Sequence, residues 1–175
     1  MNQAGTPNVT PLLQQAVALH QQGRLQQAAQ LYGEVLRLAP RQFDALHLLG
    51  VIARQQGDAA RAVTLIEQAL ALKPDQANAH CNLGAALHDL GRGEEALASY
   101  DAALRLNPRY AMAWANRGNA LRRLGRPREA IDSYERALAL QPRYPEAACN
   151  RAATLLDLGE PAAALAGAEQ ALAGQ

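Results

Sequence analysis

The chain has very little lysine: Lys73 stands alone among 17 basic residues, and aromatic residues make up only 4% of the 175 positions. So few aromatics leave no stacking platform for single-stranded nucleic acid. A formal net charge of +1 gives no global field toward a phosphate backbone or an anionic membrane. No apolar run approaches the ~20 residues that a membrane-spanning helix requires. Met1 to Pro7 carries neither the basic region nor the apolar core of a secretory signal, so the cytoplasm is the expected compartment. Serine occurs only as Ser99 and Ser133, which leaves little material for a serine nucleophile. Arginine and alanine are abundant, a usage that points to a GC-rich bacterial genome. Val, Ile and Thr are scarce, while Ala and Leu dominate, and this predicts helices and no strands.

What the sequence does have is a period. The triplets ending in Pro40, Pro74, Pro108 and Pro142 recur every 34 residues. Gly23, Gly57, Gly91, Gly125 and Gly159 keep the same step, as do Ala28, Ala62, Ala96, Ala130 and Ala164, and also Leu36, Leu70, Leu104, Leu138 and Leu172. Several residue types sharing one period indicate a repeat array. Leu83, Leu87 and Leu90 stripe one helical face, and Ala96, Tyr100, Ala103 and Leu104 stripe the next. Between the stripes, Gly91 suits the positive φ of a left-handed helix cap, and Pro108 ends the second helix. The lack of bulk at Gly84 and Ala96 lets paired helices approach closely. Thr10-Pro11 reads as an N-cap followed by proline at the first helical position.

Trp114, Gly118, Leu121, Ala130, Tyr134, Ala137 and Pro142 together resemble the pattern of the tetratricopeptide-repeat family. The resemblance implies an all-α, right-handed superhelical solenoid of antiparallel helix pairs. Five units are expected, at about 9–42, 43–76, 77–110, 111–144 and 145–175, preceded by a disordered stretch over residues 1–8. The end units depart from the pattern. Ala16 stands where the middle units have Gly50, Gly84 and Gly118, and Ala148, Ala152 and Ala168 replace Trp114, Gly118 and Tyr134 of the unit before.

No Walker loop, dinucleotide turn or other catalytic constellation is present, so no enzyme activity and no cofactor are expected. Cys81 and Cys149 lie two repeats apart, too far for a disulfide in a stacked array. His80, Cys81 and His88 lack zinc-type spacing, so no metal site is expected. In this family the first helix of each unit lines an inner groove. At its sixth position stand Asn82, Asn116 and Asn150, with Asn119 one turn further on from Asn116. A row of amides can accept from and donate to a peptide backbone whatever its side chains. The row resembles the asparagine ladder in the repeat arm of O-GlcNAc transferases. Asparagine as a framework residue bridging adjacent helices is the other reading. A basic line runs along the twelfth position through His20, Arg54, His88 and Arg122, with Arg123 beside it and Asp89 and Asp157 offsetting it. It reads either as solvated charge at helix ends or as a site for an acidic ligand.

The leading expectation is a protein-interaction scaffold holding a partner's extended or partly helical segment in the groove, with no nucleic-acid or membrane role. Two alternatives stand beside it. One is the substrate-recruiting arm of a larger enzyme resembling an O-GlcNAc transferase. The other is a self-assembling module that pairs through an uncapped C-terminal face around Leu165 and Leu172.

Overall fold

The computed structural model describes residues 8–166, and every regular element among them is α-helical. The chain divides into two compact units, residues 1–86 and 87–175. The first holds α1 (Thr10–Gln21), α2 (Leu25–Leu38), α3 (Phe43–Gln55), α4 (Ala59–Leu72) and most of α5 (Ala77–Asp89). The second holds the end of α5, then α6 (Gly93–Leu106), α7 (Ala111–Arg123), α8 (Pro127–Leu140) and α9 (Pro145–Asp157), with residues 161–166 again helical. The expected disorder of the first eight residues falls almost wholly outside the described residues, as do Ala168 and Leu172.

The glycine period is a turn device. Gly23, Gly57, Gly91, Gly125 and Gly159 all have φ between 73° and 85°, a region costly for any residue with a Cβ. The N–H after each glycine returns to a carbonyl five residues back: Arg24 to Leu19, Asp58 to Ala53, Arg92 to Leu87, Arg126 to Leu121 and Glu160 to Leu155, each 2.9 Å. One left-handed residue thus closes each first helix and reverses the chain within three residues, which yields a helical hairpin.

The alanine period is a packing device. Ala28, Ala62, Ala96 and Ala130 are each 0% exposed, at the seam where a second helix meets its neighbours. In unit 1 the core gathers Ala16, Tyr32, Val35, Leu49 and Ile52, and a second cluster joins Phe43, Leu46, Ile66 and Leu70. In unit 2 it gathers Leu97, Leu121, Ala130, Tyr134 and Ala147. Lys73, the single lysine, lies 5.2 Å from the centre of the Phe43 ring, so its charge is used within unit 1.

Two local expectations need correction. Val9, not Thr10, occupies the N-cap of α1, because the Asn8 side chain accepts from the Thr10 N–H at 3.1 Å and starts the helix one residue earlier; Pro11 is then the second helical residue. Leu90 does not continue the stripe of Leu83 and Leu87, because α5 has already ended at Asp89 and Leu90 is exposed.

Candidate functional site

Five of the eight side chains singled out as site candidates line one open depression of about 460 Å³ in unit 2: His88, Asn119, Arg122, Arg123 and Asn150. The sixth lining residue, Tyr134, reads in sequence only as framework. Asn82 and Arg54 belong to unit 1, and Asn116 does not line the depression.

Hydrogen bonds organise the floor. Asn119 Oδ1 accepts from the Tyr134 hydroxyl at 2.8 Å and from Asn150 Nδ2 at 2.9 Å, tying α7, α8 and α9 together. Both lone pairs of that oxygen are then occupied. The asparagines therefore do bridge neighbouring helices. The Asn119 Nδ2 hydrogens and the Asn150 side-chain Oδ1 have no hydrogen bond among the described residues, so each polarity remains available to a ligand. Burial pushes the Tyr134 hydroxyl up to about 12, so it stays a neutral donor at any ordinary pH.

The rim is cationic. Arg122 lies 3.7 Å from the Asp157 carboxylate with both side chains well exposed, an arrangement worth little in water. Arg123 is held more firmly: its Nη1 donates to the His88 carbonyl at 3.0 Å and approaches His88 Nε2 at 3.3 Å, a cation at the C-terminal end of α5. Arg122 is thus the arginine more readily turned toward a ligand.

Unit 1 uses its ladder residue differently. Asn82 Nδ2 lies 2.9 Å from Nε2 of His47, a histidine only 4% exposed that sequence reading missed. Donation by the amide requires a neutral ring protonated on Nδ1. Burial lowers the His47 pKa, and the nearby Asp44 opposes this. The unfolded chain therefore takes up a proton near pH ~6.5 that the folded chain refuses, so stability is fully present above that pH and is lost as the pH falls through the depressed folded value. Thermal unfolding at pH 5.5 should occur at a lower temperature than at pH 7.5, and His47→Gln should flatten that difference. An undiminished difference in the variant would assign the effect to another group.

A second opening, of about 520 Å³, lies between α6, α7 and α8, but its central cation is already used. Arg117 Nε donates to Asp101 at 2.7 Å and its Nη1 to Ser133 Oγ at 2.8 Å. Arg151 makes the corresponding clasp to Glu135 one repeat on. Ser133 and Ser99 donate to carbonyls one turn back, as framework residues do. Among the described residues no group of three or more His, Cys, Asp or Glu side chains is placed to hold a metal ion, and no helix is long and apolar enough to cross a membrane. Leu165 is 62% exposed, while Leu172, the other half of the face considered for self-association, lies outside the described residues.

Solved structures of the same fold include residues 41 to the end of MamA from Desulfovibrio magneticus RS-1, at 20% identity over 96% of each chain with a TM-score of 0.86. PilF of Pseudomonas aeruginosa is similar at 24% identity over 95% of this chain and 76% of that one, with a TM-score of 0.83. MamA from AMB-1 is 26% identical over 93% of this chain and 89% of that one, with a TM-score of 0.76. No curated protein matches the chain in sequence. Family models described as tetratricopeptide repeat match residues 9–34, 75–143 and 115–175, and one described as TPR repeat matches 52–91. Matched over residues 9–34 and 52–175, with a positive-φ glycine closing each of the five first helices, the chain belongs to the tetratricopeptide-repeat family, whose members serve broadly as protein-interaction scaffolds.

Proposed function

We propose that this chain is a non-catalytic scaffold that grips a partner protein's segment in the unit 2 depression, with an acidic group of that segment facing Arg122. The observation that carries the reading is the convergence of Asn119, Asn150, Arg122, Arg123 and His88 on one opening, with amide groups of both polarities left over. Amides that can both donate and accept suit a peptide backbone, and the loosely paired Arg122 suits a carboxylate. Within unit 2 Asn116 repeats the Asn150 position one period earlier; in unit 1, described by itself, Asn82 holds the same repeat position and Arg54 places a cation in the last turn of α3. The five-unit division drawn from the sequence is the frame for this proposal.

The test is capture of partners from the source organism by wild type and by variants. Asn119→Ala or Asn150→Ala alone should weaken binding only several-fold, since a net hydrogen bond is worth ~0.5–1.5 kcal/mol. The two together with Arg122→Ala should weaken it severely, and affinity should fall as salt rises from ~0.05 to ~0.5 M. A partner that binds the triple variant as tightly as wild type would move the site elsewhere. The length of the native reading frame separates the free scaffold from a recruiting arm of a larger enzyme, because only the latter continues into a catalytic domain.

A further inference from the structure

The repeat register places a second groove in unit 1 at the same position as the unit 2 depression, with its chemistry reversed. This groove, of about 310 Å³, is walled by Leu13, Val17 and Leu48, with Gln21 and Asp44 among its remaining residues. Three repeats on, Val17 becomes Asn119, Gln21 becomes Arg123, Asp44 becomes Glu146 and Leu48 becomes Asn150. The residues that supply hydrogen bonds in unit 2 are thus aliphatic in unit 1.

The exchange has a structural cost. Tyr32, the counterpart of Tyr134, is 0% exposed, and its hydroxyl is a buried polar group without a hydrogen-bond partner. Val17 and Leu48 pack on the same cluster as the Tyr32 ring, and Ile52 stands where Thr154 reaches Tyr134 in unit 2. An asparagine at position 17 would satisfy the phenol, as Asn119 satisfies Tyr134. The half-buried aliphatic surface is therefore not what local stability alone would select. At its edge Asp44 is exposed, accepts from the Gln42 side chain at 3.3 Å, and forms no ion pair among the described residues.

We propose that the unit 1 groove takes an aliphatic side chain of a partner segment, directly followed by a cationic residue that faces Asp44. The apolar walls offer a polar side chain nothing in exchange for its water, whereas an aliphatic one gains by leaving water. A carboxylate at the edge attracts a neighbouring arginine or lysine and repels an acid. The inference rests on the scaffold reading and sharpens it: unit 1 selects apolar-plus-basic, unit 2 selects acidic, so the two sites discriminate between opposite sequences.

The test is a nuclear magnetic resonance titration of the isotope-labelled full chain with three capped dipeptides: N-acetyl-Leu-Arg-amide, N-acetyl-Leu-Glu-amide and N-acetyl-Ser-Arg-amide, each up to ~20 mM to reach weak affinities. Leu-Arg should shift the methyl signals of Leu13, Val17 and Leu48, with Leu-Glu and Ser-Arg each at least about threefold weaker there. Asp44→Asn should erase the preference for Arg over Glu. Val17→Asn with Leu48→Asn should abolish the response; because this pair restores the asparagine arrangement of unit 2 beneath Tyr32, it is expected to fold. No unit 1 response, equal response to all three probes, or a response that survives the double variant would each overturn the proposal. Leu-Glu signals at Asn119 and Asn150 report the unit 2 reading separately, so either site can fail alone.

Discussion

Gly118→Ala should destabilise the protein by about 1–3 kcal/mol, although alanine is the better helix former by about 1 kcal/mol. A Cβ at this position would stand 2.5 Å from Cε1, 2.7 Å from Cδ1 and 2.9 Å from Cζ of Tyr134, all closer than side-chain contacts allow. The ring must move, and it is not free to do so, because its hydroxyl is bonded to Asn119 and its face is fully buried. Moving it gives up that bond as well as the packing. Unit 1 supplies the natural contrast. Ala16 stands at the equivalent position, buried in the same cluster as Tyr32, whose hydroxyl is tied to nothing. The alanine is tolerated where the tyrosine is untethered. Urea unfolding of wild type, Gly118→Ala, Tyr134→Phe and the double variant measures the coupling. The glycine change should cost less in the Tyr134→Phe background, since the ring there can yield without losing a hydrogen bond. Strictly additive effects would show that the tether is irrelevant and that the clash with the ring alone sets the cost.

Much of this arrangement is legible in the sequence, because a 34-residue period exposes every framework role several times over. The glycines have to be turns and the alanines have to be seams, since only one physical reason fits each residue type at that step. The same averaging hides what is particular to one repeat. His47 has no histidine at the equivalent places in later units, so no row announces it, yet it is the group that Asn82 meets. Tyr134 is visible as framework, but its place at the floor of the depression depends on Asn119 standing opposite, a pairing between helices that no spacing within one helix reveals. The start of α1 is misread for a smaller reason: Asn8, two residues before Thr10, accepts from the Thr10 N–H, so Thr10 is already the first helical residue and Val9, which has no capping side chain, stands at the N-cap.

The two equivalent tyrosines should respond to the same mutation with opposite signs. Tyr134→Phe removes a hydroxyl that donates to Asn119 at 2.8 Å and should cost about 1 kcal/mol. Tyr32→Phe removes a buried hydroxyl without a partner, which folding strips of water for no return, and should leave stability unchanged or raise it by about 1 kcal/mol. Titration does not separate the two, because burial pushes both phenols up to about 12 and both stay neutral from pH 5 to 9. Only the presence of an acceptor differs. Val17→Asn supplies one in unit 1, at the place that Asn119 holds in unit 2. In that background Tyr32→Phe should change sign and become destabilising, as it already is at Tyr134. Thermal unfolding of the five chains (wild type, the two phenylalanine variants, Val17→Asn and its combination with Tyr32→Phe) tests this directly. Equal losses from Tyr32→Phe and Tyr134→Phe in the wild-type background would mean that the Tyr32 hydroxyl has found an acceptor in solution. The aliphatic lining of the unit 1 groove would then carry no structural cost.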